Sequence, residues 1–259
     1  MADAAPASAV SLRDAVVHYS GRPPLGPVDL AIAAGEIVAV VGASGAGKST
    51  LLRLLAGLEI PSEGAVLRAA GRGRTGFVFQ NATLMPWADI RSNVALPLEL
   101  AGMPRDEARR RASASLEAVG LGDRLSARPR QLSGGMAMRA SLARALVTDP
   151  DLLLLDEPFA ALDSVTRRRL SEDLHRLWAG RSPRPAIVFV THDVEEAVYL
   201  AHRAVVLDAA TGAVILTRAS PGVLPRPDGW RADADYHAAV EALAADLARS
   251  MSPARERDS

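Results

Sequence analysis

The feature that most constrains the fold of this 259-residue chain is a glycine-rich loop between an apolar run and a helical pattern. The run GEIVAVVG (35–42) is short, β-branched and apolar on both faces, which predicts a buried strand. STLLRLLAGL (49–58) predicts the helix. Between them, GASGAGKST (42–50) fits the pattern G-x-x-x-x-G-K-[ST]. This loop predicts a phosphate site, with a plain glycine-rich turn as the alternative.

The residue types of this loop suit a nucleotide. Glycines let successive N–H groups face a phosphate at the positive end of the helix. Lys48 supplies a charge for the outer phosphates, and the hydroxyl of Ser49 can ligate Mg²⁺. The nucleotide-binding residues predicted from the loop are Gly42, Ala43, Ser44, Gly45, Ala46, Gly47, Lys48, Ser49 and Thr50.

Two further apolar runs predict buried strands, DLLLLDEP (151–158) and PAIVFVTHD (185–193). Helical patterns separate these runs, so the sequence predicts an α/β fold in which helices cover a parallel sheet. RAVVLDAATGAVILT (203–217) predicts two more strands, joined by a turn at Thr211 and Gly212.

Polar side chains follow several of these runs, at the sheet edge where such folds bind ligands. Asp156 is the expected Mg²⁺ ligand, and Glu157 is placed to accept a proton from an attacking water. The alternative is that two acidic residues end this strand by chance. Gln80 follows TGFVF and His192 follows AIVFVT, on a strand expected beside that of Glu157. Either could instead be a surface or capping residue.

The stretch 84–147 predicts a mainly helical lobe inserted into the α/β core. A charged helix within 103–125 is expected to open at Pro104 and close near Gly120. LSGGMAMRASLARAL (132–146) predicts a second helix that starts on two glycines, although glycine costs a helix interior about 1 kcal/mol relative to alanine.

Composition and chain ends exclude several classes of protein. Thirty basic and thirty acidic residues balance, so no bulk charge indicates nucleic acid as a partner. The absence of cysteine excludes disulfides and fits a reducing compartment. We expect no signal peptide and no spanning segment, and therefore a soluble chain that needs another subunit to act at a membrane. Near the end, Tyr236, Val240, Leu243 and Leu247 recur at helical spacing and predict a packing helix.

From about residue 10 to 217, the chain resembles the nucleotide-binding subunit of ABC transporters. The resemblance rests on six motifs in family order. They are GASGAGKST as Walker A, FVFQ ending at Gln80 as the Q-loop, QLSGGM as the signature, LLLLDEP as Walker B, ALD (161–163) as the D-loop and THD as the H-loop. Six ordered motifs are far more specific than Walker A alone.

The resemblance implies the organisation of the chain. We expect one ATPase domain over 1–259, a P-loop NTPase core with a parallel sheet, an N-terminal antiparallel β lobe and an inserted helical signature subdomain. The expected bounds are 10–83 and 148–217 for the core, 84–147 for the helical subdomain and 230–259 for a helical tail. No regulatory domain is expected after Thr217.

The resemblance also implies a head-to-tail homodimer that sandwiches two ATP molecules. Ser133, Gly134 and Gly135 are then expected to contact the ATP held by the partner chain. Glu157 is implied as the catalytic base, while Lys48 and His192 stabilise charge on the γ-phosphate.

Other residues take further roles by the same resemblance. Ser49, Gln80 and Asp156 are implied as Mg²⁺ ligands, and Asp163 is expected to cross the dimer interface. Tyr19 lies where the family places an aromatic that stacks on adenine, with a surface tyrosine as the alternative.

The subclass is indicated by LMPW (84–87), the following Asn93-Val94 and DEPFAALDSVTR (156–167). They look most like bacterial importers of the nitrate, sulfonate and taurine type. That resemblance implies a membrane permease and a solute-binding protein as partners, with the chain at the cytoplasmic face of the inner membrane. Trp87 is expected to dock a helix of the permease, since tryptophan is a favoured interface anchor. Burial of Trp87 in the helical lobe is the alternative.

Two departures from the family pattern stand out. Ala137 and Met138 replace a polar pair before Arg139, which predicts altered local packing or coupling with hydrolysis retained. The segment 64–80 is short, which predicts a weaker or less selective contact with the base. A soluble ABC-type ATPase of DNA repair or translation remains the alternative function, although the chain lacks a long heptad run and a second nucleotide domain. A catalytically silent module is disfavoured because Glu157 and His192 are both present.

Overall fold

A computed structural model describes residues 8–21, 24–69 and 74–251 of the chain. These residues form two compact units. The first contains the described residues up to 69 together with 186–251, and the second contains 74–185. In these described ranges, no helix is both long enough and apolar enough to cross a membrane.

Strands and helices alternate between residues 152 and 207, as the α/β prediction requires. In chain order, the strands are β1 (Ser8–Val17), β2 (Leu25–Ala33), β3 (Ile37–Val41), β4 (Glu63–Arg68), β5 (Thr75–Val78), β6 (Leu152–Asp156), β7 (Ala186–Val190), β8 (Arg203–Leu207) and β9 (Val214–Ala219). The helices are α1 (Lys48–Ala56), α2 (Ile90–Leu100), α3 (Arg105–Ala118), α4 (Gly134–Leu146), α5 (Ser164–Ala179), α6 (Val194–Leu200) and α7 (Ala234–Met251).

The first unit contains an antiparallel sheet in the order β2-β1-β4. Along β1, Val10, Leu12 and Ala15 are buried while Arg13 and Asp14 are exposed, so one face of the sheet packs inward. This sheet is the antiparallel lobe that the family resemblance implies.

The same unit contains the predicted parallel strands. The central strand β3 is buried at all five positions and pairs in parallel with β7 and β8. Strand β9 runs antiparallel to β8, and Gly212 in the turn between them has φ 67°, which glycine adopts without strain. The parallel sheet and the predicted turn are confirmed.

The second unit combines the parallel pair β5 and β6 with helices α2 to α5. Helix α3 follows Pro104 and ends before Gly120, which has φ 73°, so both predicted ends are confirmed. Helices α2, α3 and α4 share one apolar core. Its members include Ile90, Val94, Leu98, Ala108, Ala112, Leu116, Ala140 and Ala143.

The predicted packing helix near the chain end is α7, within the first unit. Tyr236 and Leu243 are buried, whereas Val240 and Leu247 are half-buried, as expected for an amphipathic helix. Residues 252–259 of the predicted tail lie outside the described residues.

Candidate nucleotide-binding and catalytic site

The phosphate loop of the first unit depends on left-handed glycines. Gly45 and Gly47 both have φ 84°, a conformation that costs other residues free energy. A Cβ on Gly47 would lie 1.6 Å from Leu25 Cδ1. Gly47 is also the N-cap of α1, and in the described part of the chain no side chain caps that first turn. Its N–H groups are therefore suited to an anion.

Lys48 adds a positive charge to the phosphate loop. Its side chain is buried, and Nζ donates hydrogen bonds to Gly42 O at 2.9 Å and to Ala43 O at 2.8 Å. The ammonium group is thereby held at the loop, while the side chains of Ser44 and Ser49 stay exposed. Charge, backbone donors and an exposed hydroxyl together fit a nucleoside triphosphate with its Mg²⁺.

Tyr19 lies beside the end of this loop. It follows β1, is half-buried, and its Oη lies 3.2 Å from Thr50 Oγ1. The structure therefore places Tyr19 in a loop fixed to the phosphate loop rather than in a surface strand. Its stacking on adenine stays a prediction.

His192 follows β7, and β7 pairs with β3, the strand that precedes the phosphate loop. In the parallel pairing of β3 and β7, Val40 lies opposite Val190, and Thr191 N donates to Val40 O at 3.2 Å. The loop beginning at Gly42 and the exposed His192 therefore follow the carboxyl ends of neighbouring strands.

The residues flanking His192 are anchored by contacts that the sequence did not reveal. Thr191 Oγ1 donates to Glu196 Oε2 at 2.6 Å and accepts from Asp193 N at 3.0 Å. Asp193 Oδ1 accepts from Glu195 N and Glu196 N and so caps α6. Glu196 is buried although it is charged. No local sequence motif marks its contact with Thr191, which forms only when the chain folds.

In the second unit, Gln80 and Glu157 meet. Val78 lies opposite Leu155 in the parallel pair β5 and β6, and each polar residue follows two positions later. Gln80 Nε2 donates to Glu157 Oε2 at 3.3 Å. The sequence predicted that both residues end strands, and the pairing register brings them together.

Glu157 also has an unusual backbone. Its φ is 44°, in the left-handed region that non-glycine residues rarely adopt. Such a conformation costs on the order of 1–3 kcal/mol and is concentrated at functional sites. Asp156, directly before it, is the half-buried last residue of β6.

The signature helix α4 begins at the predicted glycines. Ser133 is its N-cap, and Ser133 Oγ accepts from Met136 N at 3.3 Å. A Cβ on Gly135 would lie 2.6 Å from Thr166 Cγ2, so packing within the unit requires this glycine. A Cβ on Gly134 would meet no atom of the described residues within 4 Å. Contacts in the described part of the chain therefore give no reason for Gly134.

The residues after the Q-loop are tied to α4 by Arg144. Its guanidinium donates to Thr83 O at 3.0 Å, to Thr83 Oγ1 at 3.0 Å and to Ala82 O at 3.3 Å. Burial lowers the pKa of Arg144 from its ordinary value. This link between the segment following Gln80 and the signature helix was not predicted.

Asp163 has a structural role besides the predicted one. Its Oδ1 accepts from Val165 N and Thr166 N, and Oδ2 accepts from Thr166 Oγ1 at 2.6 Å, so it caps α5. The hydrogen bonds from Thr166 hold the pKa of this exposed carboxyl below its usual value. Its place at a dimer interface stays a prediction.

The departure at Ala137 and Met138 is accommodated by packing. Met138 is buried and lines a small apolar cavity with Leu142, Phe159 and Leu170. A polar side chain directed into this cavity would lose its hydrogen bonds to water, whereas methionine fills irregular apolar space. The predicted change in local packing or coupling relative to the family and the retention of hydrolysis both stay predictions.

Trp87 is held at the surface of the second unit, with 73% of it exposed. The alternative that it is buried in the helical lobe is therefore wrong. Buried Asn93 fixes its loop, because Oδ1 accepts from Met85 N at 2.7 Å and Nδ2 donates to Asp89 O at 3.0 Å. The exposure of the indole is compatible with the expected docking role of Trp87, which stays a prediction.

Comparisons with known proteins agree with these motifs. Residues 25–160 match the family model described as ABC transporter. An aliphatic sulfonates import ATP-binding protein of Mycobacterium sp. strain MCS is 47% identical over 86% of this chain and 88% of its own length. A taurine import ATP-binding protein of Yersinia pestis is 46% identical over 76% of this chain and 79% of its own.

Solved structures show the same fold. A dimeric ATP-binding cassette in a post-hydrolysis state, bound to ADP and Pi, is 32% identical, with a TM-score of 0.71 over 83% of this chain and 100% of that chain. A component of an ABC transporter complex from Clostridium perfringens is 26% identical, with a TM-score of 0.72 over 82% of this chain and 89% of that chain. The family model and the relatives near half identity together establish that this chain belongs to the ABC transporter family.

Proposed function

We propose that this chain is the ATP-hydrolysing subunit of a bacterial importer for small sulfonates such as taurine. The observation that carries the hydrolytic role is Glu157, a carboxylate in a left-handed backbone conformation that accepts a hydrogen bond from Gln80. The names of the relatives favour import over DNA repair or translation. In this proposal, both units make one ATPase domain, with a core near 10–83 and 148–217 and a helical subdomain near 84–147.

ATP binding rests on the first unit. The N–H groups of the phosphate loop and the Lys48 ammonium hold the β- and γ-phosphates, and Tyr19 stacks on the base. Ser49, Gln80 and Asp156 would hold Mg²⁺, which neutralises charge on the phosphate oxygens when it is bound. Gln80 directs its amide nitrogen toward Glu157, so its carbonyl oxygen is the group suited to a metal.

Hydrolysis then needs a base and charge stabilisation. Glu157 accepts a proton as water attacks the γ-phosphorus, and the bond from phosphorus to the bridging oxygen breaks to leave ADP and phosphate. Lys48 and His192 stabilise the negative charge that develops on the transferred group.

Two such chains are expected to form a head-to-tail homodimer. In that assembly, Ser133, Gly134 and Gly135 contact the γ-phosphate held by the partner chain, and Asp163 lies at the interface. The bare, exposed Gly134 supports this arrangement, since a close approach of phosphate to backbone requires the absence of a Cβ.

The membrane partner is a permease that docks at Trp87. The chain then lies at the cytoplasmic face of the inner membrane, and a separate solute-binding protein delivers the solute. No nucleic acid takes part. The exposed indole, carried by a loop whose backbone Asn93 holds, is the surface feature that supports this docking.

The test is ATP turnover of the purified chain and of its Glu157→Gln variant. Loss of the base is expected to lower kcat by about 10²–10⁴-fold while ATP binding and ATP-dependent dimerisation remain. Glu172→Gln is the matched control, because Glu172 is exposed on α5. Unchanged turnover in Glu157→Gln would contradict the role of this residue.

The solute class is tested separately. The chain is co-purified with its permease, reconstituted in liposomes with the solute-binding protein, and assayed with taurine and with nitrate. Stimulation by taurine alone supports a sulfonate importer, whereas stimulation by another solute alone refutes that class. Trp87→Ala is expected to abolish co-purification with the permease and to leave basal turnover unchanged.

A further inference from the structure

We propose that the segment following β9 is a positioning device for His192. We call residues 221–251 the C-terminal clasp, because they hold α6, the helix that begins directly after the histidine loop. This inference rests on the proposed function, in which His192 contacts the γ-phosphate.

Helix α6 needs external support. It has seven residues, Val194–Leu200, and helices shorter than about 12 residues are marginal in water without tertiary contacts. Its N-cap is Asp193, the residue next to His192. The orientation of the histidine loop therefore depends on whatever keeps α6 formed and in place.

Arg226 holds the carboxyl end of α6. Its side chain is buried; Nε donates to Tyr199 O at 3.1 Å, and Nη2 donates to Val198 O and Ala201 O, each at 3.1 Å. Nη1 donates to Pro221 O within the clasp. The last carbonyls of a helix lack partners in the helix and carry its negative dipole end, so a cation here is doubly favourable.

The charge of Arg226 persists at neutral pH. Burial lowers its pKa to about 10, and this value still leaves the guanidinium protonated. The group also lies over the ring of Trp230, 4.0 Å from the centroid. A buried cation with several carbonyl partners and an aromatic face is a fixed contact rather than a surface ion pair.

Aromatic residues of the C-terminal clasp make further contacts along α6. Trp230 packs edge-on against Tyr236 at 5.0 Å between centroids and lies 6.1 Å from Tyr199 on the helix. Tyr236 Oη donates to Glu195 O at 3.5 Å, in the first turn of α6. The clasp therefore touches both ends of the helix.

The contacts between the C-terminal clasp and α6 act on His192 through its two neighbours, Thr191 and Asp193. Glu196, on α6, accepts from Thr191, and Asp193 caps the first turn of α6. Displacing α6 would therefore move the residues on both sides of His192. The described contacts of Arg226 involve neither the phosphate loop nor His192, so it is a positioning residue and not a catalytic one.

The test compares Arg226→Met with Arg249→Met in the full chain. Arg249 is an exposed arginine of α7 that pairs with Asp246 and makes none of the described contacts to α6, so it is the matched control. We expect Arg226→Met to lower kcat about tenfold with KM for ATP within about twofold, and Arg249→Met to leave both values unchanged.

A readout independent of turnover is the imidazole resonance of His192 in ¹³C-labelled protein, assigned with His192→Ala among the five histidines. We expect this resonance to shift in Arg226→Met and in Tyr236→Phe, which removes only the hydroxyl. If Arg226→Met does not fold, the His192 resonance of the Tyr236→Phe variant tests the inference instead.

The outcomes are distinct. A His192 resonance that superimposes on the wild type in folded Arg226→Met or in folded Tyr236→Phe overturns the inference, even if the melting temperature falls. A fall in kcat accompanied by an equal change in Arg249→Met also overturns it. A wild-type chain without ATPase activity refutes the proposed function instead, and the resonance still reports whether the clasp positions His192.

Discussion

Two helices of this protein begin on glycines, and they do so for different reasons. At α1, Gly47 has φ 84° and lies against Leu25, so both its conformation and its lack of a Cβ are needed within its own unit. At α4, Gly134 has an ordinary helical backbone and open space beside it. Contacts among the described residues explain Gly47 but do not explain Gly134.

This difference between the two glycines matches a difference in the ligand proposed for each helix start. The start of α1 is already closed around the Lys48 ammonium, as expected for a site that binds ATP within one chain. In the described part of the chain, Ser133 caps the start of α4, and Gly134 is an exposed residue less favourable in a helix than alanine. A residue that is unfavourable for its own helix, and required by no described contact, fits the role proposed for Gly134 at the ATP of a partner chain.

Among the changes at these two helix starts, the largest effect is expected from Gly47→Ala. The left-handed φ and the contact with Leu25 together cost on the order of 1–3 kcal/mol, or about 5- to 150-fold in ATP affinity. Fluorescence titration of the monomer with a labelled ATP analogue measures the loss. Gly102→Ala is the control, since Gly102 has φ 87° in open space outside the loop and should lower stability without changing ATP affinity. Equal affinities for Gly47→Ala and the wild type would show that the loop is not built as described.

An intermediate effect is expected from Ser133→Ala. Loss of the N-cap destabilises α4 by about 1 kcal/mol, measured by urea unfolding. Hydrolysis should fall about tenfold because a phosphate contact across the dimer is also lost. ATP affinity of the monomer should stay the same, and a large drop there would place Ser133 at the nucleotide of its own chain.

The buried strands of the sheet and the glycine-rich loop could be predicted from the sequence. The strands 37–41, 152–156 and 186–190 are apolar on both faces, and the glycine-rich loop has a local signature that needs no knowledge of the fold. The capping role of Asp163 could also have been predicted, because an aspartate before a helical pattern is an N-cap signal.

Other features depend on contacts between distant parts of the chain. The Gln80–Glu157 hydrogen bond follows from the register of β5 and β6, and the positive φ of Glu157 from the turn after β6. Buried Glu196 and Arg226 look like ordinary charged residues until the chain is folded. Periodicity and motifs do not encode such pairings, since these arise from tertiary packing.

The smallest change in stability, and the most direct test, is expected from Gly134→Ala. If Gly134 serves only a ligand held by a second chain, alanine should stabilise α4 by about 0.5–1 kcal/mol and leave the monomer's ATP affinity unchanged. ATPase activity at concentrations that support dimers should nevertheless fall about tenfold. A single urea-unfolding and turnover comparison therefore decides the central claim. Higher stability with lower turnover is the predicted result, whereas unchanged turnover would contradict the role of Gly134 at a partner's ATP.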